Sequence, residues 1–416
     1  MTDATSVLRR KSDPRRWVLP ALVALVVLAL AFVVSSQWPA AQLLPEATPT
    51  PMPSPTPWPV TVRFASPEVG LNVHLYWDPW AAVRRDWHLV RDGGFTWVKQ
   101  RLAWQDVESA GPGRYEWAAA DRIVNEAEQA GVSLVFRVDY PPVWASSGSQ
   151  SGHDLPVDPD YFGFFCKTLA ARYRGRVRAY QVWNEPNLAR EWGGLPPDPA
   201  AYVEVLRVCY IGIKAGDPDA LVISAALAPT GSGLPDALPD TDYLLGLYEA
   251  GGAAFFDLLG VNAPGYKAPP HISPQEAADP ANDYGGNSFF CFRHVEELRA
   301  IMERYHDGAK QIAVMEFGWH TNQNPDHADY AWFAVTPEQQ AQYLVAALEY
   351  ARDHWSPWVG PMFVWNLPDA RWTPDNEEFW WAIADPFWWG LEGDEAVWPG
   401  GAVRPAYEAL RDRERP

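Results

Sequence analysis

From residue 68 onward, short apolar runs alternate with longer stretches whose apolar positions recur at helical spacing. The runs are EVGLNVHLYW (68–77), FTWVKQRLAW (95–104), GVSLVFRVDY (131–140), VRAYQVWNEP (177–186), ALVISAALAP (220–229), FFDLLGVNAP (255–264), QIAVMEFGWH (311–320) and GPMFVWNLPD (360–369). They are rich in β-branched and aromatic residues and short enough to be parallel strands buried on both faces. Between them, Asp78-Pro79, Asp158-Pro159, Asp198-Pro199 and Thr336-Pro337 each set a capping oxygen before a proline at the first helical position. Gln339 completes a capping box with Thr336. Residues 117–131 place Trp117, Ala120, Val124 and Ala127 on one helical face. Gly93, Gly131 and the Gly216-Asp217-Pro218 step end helices.

Eight strands alternating with helices over about 355 residues predict an α/β protein, a (β/α)8 TIM barrel with some long loops. An open doubly wound sheet is the structural alternative, but no glycine-rich phosphate turn follows the first strand. In a closed barrel, residues ending the strands point into the active site, whereas earlier strand residues fill the core. Two acids then stand out. Glu185 closes the fourth run, in QVWNEPNL (181–188), and Glu316 closes the seventh, in QIAVMEFGWHT (311–321). Inside a strand either would be an unpaired buried charge; at a strand end both reach over one mouth from opposite sides. Two carboxylates facing across a cleft suit glycosidic bond cleavage. One protonates the leaving oxygen while the other attacks the anomeric carbon, about 5–5.5 Å away in retaining enzymes. Glu185 fits the acid/base role if its surroundings raise its pKa, and Glu316 the nucleophile if cationic or hydrogen-bonding neighbours keep it ionised.

WNEPN followed by EFGW three strands later resembles the clan A glycoside hydrolases, retaining (β/α)8-barrel enzymes. RYEWAAADRIVNEAEQAGVSLVFRV (114–138) is similar to their second helix and third strand. LAARYRGRVRAYQVWNEPN (169–187) is similar to their third helix and fourth strand, and HVEELRAIMERYHDGAKQIAVMEFGW (294–319) to their sixth helix and seventh strand. The likeness covers most of 62–416 and touches both the cellulase-like and the β-xylosidase-like branches. It implies Glu185 as acid/base, Glu316 as nucleophile, and Asn184 as the side chain that hydrogen-bonds the sugar 2-hydroxyl. It also implies Arg101 as the arginine that holds the nucleophile charged, and Trp365 as the tryptophan under the reacting sugar. One departure follows the sixth strand, where many relatives carry a histidine and a tyrosine. This chain has Asn262 in the histidine's place, with Tyr266 displaced by extra residues. Tyr266 as a partner of Glu316, and a contribution from His74 on the first strand, are expectations of the same kind.

Composition narrows the partners. The chain has 416 residues, 48% of them hydrophobic, ample for one large core. RRKSDPRR (9–16) precedes an uncharged apolar run at 17–36. About 20 residues rising about 1.5 Å each span a bilayer core, and the preceding positive charge would keep 1–16 in the cytoplasm. The expectation is a single membrane anchor with the rest extracellular. A cleaved signal peptide ending at the small residues of 34–36, giving a secreted protein, is the other reading. Residues 37–61 are a Pro/Thr-rich linker, extended and semi-rigid. From residue 62 on, five of the 33 basic and three of the 52 acidic residues are left behind, so 28 face 49, a formal balance of −21. That argues against nucleic acid or a polyanionic substrate and mostly signals solubility, while the resemblance implies an oligo- or polysaccharide substrate.

Three cysteines are too few for a disulfide framework. Cys166 and Cys209 fall in apolar helical stretches, where buried packing is the expectation, with a single Cys166–Cys209 bridge the alternative outside the cell. No cysteine spacing fits zinc and the nine histidines offer no metal-binding pair, so no metal or cofactor is expected. Among 23 tryptophans, Trp319, Trp372 and Trp381 are candidates for the cleft rim, since a flat aromatic face stacks on a sugar. Asp139 is expected to touch sugar or structure rather than to catalyse, and Glu191 to lie on a loop. The segments at 229–243 and 267–290 are expected to shape the groove. A non-catalytic carbohydrate-binding surface protein would keep the aromatics without needing either glutamate. A transglycosylase remodelling envelope glycans would share every catalytic residue and differ in the acceptor.

Overall fold

All eight apolar runs become strands of a single sheet in the computed structural model, which describes residues 61, 63–146, 148, 153–324, 326, 328–386, 391–392, 395–396 and 403–414. The strands are β1 (Glu68–Val73), β2 (Trp97–Arg101), β3 (Ser133–Val138), β4 (Ala179–Val182), β5 (Leu221–Ile223), β6 (Leu259–Pro264), β7 (Ile312–Gly318) and β8 (Val359–Val364). One main helix follows each in turn: α1 (Trp80–Asp92), α2 (Ala118–Ala130), α3 (Pro159–Arg172), α4 (Pro199–Gly216), α5 (Asp240–Glu249), α6 (Val295–Arg304), α7 (Pro337–Tyr350) and α8 (Pro405–Asp412). The strand order β5-β4-β3-β2-β1-β8-β7-β6 sets the first strand beside the last, with parallel ladders throughout.

Closure falls between β5 and β6, through parallel bridges at Ile223–Leu258 and Leu227–Val261. The seam needs a glycine. The Gly260 N–H donates to Ser224 Oγ at 2.9 Å, and a Cβ at Gly260 would lie 2.3 Å from the Ser224 carbonyl oxygen. Alternation along the strands then separates two cores. Phe64, Trp97, Val135, Ala179, Leu221, Ala313, Met315 and Phe363 belong to an inner cluster, while the other strand phase packs with the helices.

Asp158 and Asp198 cap α3 and α4, and Thr336 with Gln339 forms a complete capping box on α7. Asp78 does not cap. Pro79 precedes α1 without a side-chain bond, and the Asp78 carboxylate instead accepts from the Ala370 N–H at 3.3 Å, tying the loop after β1 to the loop after β8. Ser273 and Glu276 form a further capping box inside the long segment after β6.

Cys166 and Cys209 are buried as expected, and the alternative bridge is present: they are disulfide-bonded, with Cα atoms 5.3 Å apart, and only Cys291 is free. They meet because α3 and α4 approach closely; a Cβ at Gly212 would lie 2.2 Å from the Gly163 carbonyl oxygen. The bond joins residues 43 apart in sequence. Replacing both cysteines with alanine should cost about 2–4 kcal/mol. Urea unfolding checks this, and an unchanged midpoint would refute it.

The expected basic segment, membrane span and nearly all of the linker lie outside the described residues, as do Trp388 and Trp389. Among the described residues no helix is long and apolar enough to cross a membrane.

Candidate active site

Glu316 reaches the barrel mouth because β7 breaks its alternation. Ile312 and Val314 pack outward with the helices, whereas Ala313 and Met315 pack inward; Phe317 and Trp319 are again outward. On the β6 side Val261 pairs with Val314 but Asn262 pairs with Glu316, leaving Met315 as an extra residue. This β-bulge puts Met315 and Glu316 on the same inner side. With strict alternation the carboxylate would face the helix layer.

A comparable break ends β4. Val182 and Trp183 both join the outer core, and Trp183 has a left-handed backbone with φ 72°. Glu185, three residues beyond the ladder, has φ 39°, and its N–H donates to the Ala226 carbonyl at 3.0 Å. Tyr140 and Tyr266, after β3 and β6, are left-handed as well. Such conformations cost side-chain-bearing residues about 1–3 kcal/mol each and persist where surrounding structure imposes them.

Glu185, Glu316, Asn184, Arg101, His74, Trp365 and Tyr266 all line one cavity of ≈ 750 Å³. The two glutamates have unlike surroundings. Burial pushes the Glu185 carboxyl up to about 7, helped by the charges of Glu316 and Glu191. Arg190, whose Nη2 is 3.5 Å from Glu185 Oε2 but 73% exposed, opposes this, as does a 2.9 Å bond from Asn262 Nδ2. Glu316 instead receives a 2.8 Å bond from Lys99 Nζ, an ammonium only 2% exposed that also donates to the Met315 carbonyl. Burial lowers the Lys99 pKa, and the charge of Glu316 acts against that.

Lys99, and not Arg101, is the cation hydrogen-bonded to Glu316. Arg101 is 40% exposed, with Nη2 3.8 Å from Asp106 and its guanidinium over the Tyr140 ring. Trp97, Lys99 and Arg101 share the inward phase of β2, and the bulged Glu316 meets the deeper of the two cations. The signal for Lys99 was present. A lysine at an inward strand position is tolerable only with a partner acid.

Tyr266 does not bond Glu316. Its hydroxyl donates to the Pro229 carbonyl at 3.2 Å, because the extra residues after β6 carry it into a cluster with Phe290 and Phe333. The segment 267–290 supports Tyr266 rather than lining the cavity; Pro229 and Thr230, Tyr330 and Phe333, and Glu377 and Glu378 line it from other loops. Asn262, in the histidine's place, contacts Glu185. Its Oδ1 and that of Asn184 are buried without hydrogen-bond partners, an arrangement suited to hydroxyl donors.

His74 meets Trp372 edge-on at 4.6 Å and Trp365 at 5.9 Å. Burial lowers its pKa to about 4, against the charge of Asp369, so the ring is neutral near pH 7. Trp372 and Trp381 line the cavity. Trp319 does not reach the rim: it is fully buried, and its Nε1 donates to the Ala268 carbonyl at 2.9 Å. Asp139 is buried against Arg137 at 2.8 Å. Glu191 ends a short 3₁₀ turn rather than an open loop; it is buried, accepts from the Tyr140 hydroxyl and lies 3.4 Å from His153 Nδ1. Among the described residues no group of His, Cys, Asp and Glu is placed to hold a metal ion.

No family model matches this chain, and no curated protein matches it. Solved structures do. A family 39 glycoside hydrolase from the gut symbiont Bacteroides cellulosilyticus WH2 aligns over 83% of this chain with 21% identity and a TM-score of 0.58; the chain covers 62% of that protein's length. A monomeric β-xylosidase from Caulobacter crescentus CB15 aligns over 85% of this chain and 68% of its own, with 18% identity and a TM-score of 0.55. Native xylanase 10B from Thermotoga maritima aligns over 83% of this chain and 93% of its own, with 14% identity and a TM-score of 0.52. At such identities the likeness establishes the fold.

Proposed function

With the barrel fold of the clan A glycoside hydrolases as premise, we propose that this protein is a retaining glycoside hydrolase acting on a β-linked glycan. Glu185 is the acid/base and Glu316 the nucleophile. The observation that carries the reading is the contrast between the two carboxylates on one cavity. One has its pKa pushed up to about 7 by burial, while the other accepts a bond from the buried Lys99 Nζ. A double displacement needs that division of labour. The reading assigns Asn184, whose buried Oδ1 has no hydrogen-bond partner, to a sugar hydroxyl, and Trp365 and Trp372, which line the cavity, to stacking on a ring.

The Cys166–Cys209 bond fits an oxidising compartment, in keeping with a barrel carried outside the cell by the apolar segment at 17–36. The xylosidase and xylanase among the similar structures make β-xylosides the first substrates to try. The test is turnover by the full chain on a panel of aryl β-glycosides and β-glycans, following the anomer released. Hydrolysis with retained configuration is expected. Release of the inverted anomer, or no turnover anywhere on the panel, would overturn the proposal.

A further inference from the structure

Burying an ammonium inside a barrel is costly unless a negative charge stays beside it. Lys99 has Glu316 within hydrogen-bonding distance and lines the same cavity as Glu185, whose charge acts on it as well. Resting on the roles given above to the two glutamates, we propose that Lys99 is a positioning residue shared by both, facing one negative charge at every stage of the reaction.

The charge balance follows the bonds. In the first step a Glu316 oxygen bonds to the anomeric carbon as the bond to the leaving oxygen breaks, and that oxygen takes the Glu185 proton. Glu316 is then a neutral ester and Glu185 a carboxylate, so one negative charge has crossed from β7 to the end of β4. In the second step Glu185 takes a proton from water, the water oxygen bonds to the anomeric carbon, and the ester bond breaks. The charge returns to Glu316. Lys99 thus keeps a counterion throughout and has no need to give up its proton.

Several other charged groups around the cavity have partners of their own. From β3, Arg137 pairs with Asp139; from the end of β2, Arg101 faces Asp106; after β8, Arg371 pairs with Asp369. His74, just past β1, is neutral near pH 7, Glu191 accepts from Tyr140, Glu377 accepts from Trp381, and the mostly exposed Arg190 lies 3.5 Å from Glu185. Among these cations Lys99 is the one hydrogen-bonded to Glu316.

The test compares the full chain with Lys99→Met, Lys99→Arg and the double variant Lys99→Met/Glu316→Gln. In Lys99→Met, kcat/KM is expected to fall on the order of 10²-fold. Both limbs of its pH profile move to higher pH, because a carboxylate stripped of an adjacent ammonium holds its proton longer. Lys99→Arg restores the wild-type limbs and much of the rate. A readout independent of turnover is thermal stability against pH. Lys99→Met should match wild type near pH 4 and fall behind as pH rises to about 7, with Glu316 ionised and unpaired. Adding Glu316→Gln should abolish that dependence. Unmoved limbs, or a stability difference that ignores pH, would overturn the proposal. If wild type hydrolyses no glycoside, the assigned reaction fails instead, while the stability series still decides whether Lys99 and Glu316 are coupled.

Discussion

Glu316→Ala is expected to lower turnover on the order of 10⁴–10⁶-fold, the scale seen when a nucleophile that forms a covalent intermediate is removed. The loss should fall on kcat, since the carboxylate makes its bond to sugar only as the reaction proceeds. Removing it also strands the buried Lys99 ammonium, a penalty of several kcal/mol unless the lysine deprotonates. Glu316→Gln is therefore the companion variant, because the amide oxygen can still accept from Lys99. A small added anion such as azide has room to attack the anomeric carbon in Glu316→Ala, and its product should carry the inverted configuration. Near-wild-type turnover in a folded Glu316→Ala protein would remove Glu316 from the mechanism.

The second large effect belongs to Glu185 and depends on the leaving group. Substrates with sugar leaving groups should lose about 10²–10⁴-fold in Glu185→Gln, while activated aryl glycosides, which need little protonation to depart, lose far less in the first step. The sign with pH is fixed by direction. Since Glu185 is pushed up to about 7 and must carry a proton to act, wild-type activity falls as pH rises through about 7, and the variant loses that limb. Stability moves with the same proton. A carboxyl with a raised folded-state pKa contributes fully below its unfolded value near 4.5, and the contribution is lost as pH rises through about 7. Glu185→Gln should therefore gain thermal stability over wild type at pH 8 and gain little at pH 4. A flat difference across that range would exclude burial as the cause of the shift.

Much of this was readable before any coordinates. The eight strands were legible because strands buried on both faces leave unmistakable apolar runs, and three of the four Xaa-Pro caps because capping chemistry is local. Glu185, Glu316 and Asn184 were legible because a polar cluster at the end of an apolar run has few structural uses. Lys99 is not legible from strand ends, because its inward-facing charge lies two residues deeper in β2 than Arg101. Asp78 misled for the opposite reason: its local pattern is a cap, and a partner 292 residues away decides otherwise. The disulfide likewise depends on how closely α3 and α4 pack, which glycine positions permit but do not announce.

The extra residue at Met315 means that the site is encoded partly by counting. Deleting Met315 would restore strict alternation with Asn262 still opposite Glu316 and the carboxylate still inward. Pairing the full count of residues without the bulge would instead turn the carboxylate toward the helices and bring Phe317 to the mouth. No scan of single substitutions reveals that dependence, because each variant keeps the count. Redesign of this barrel, or comparison with a homologue whose seventh strand differs in length, must therefore align the strand by its inward and outward phase before matching residue letters.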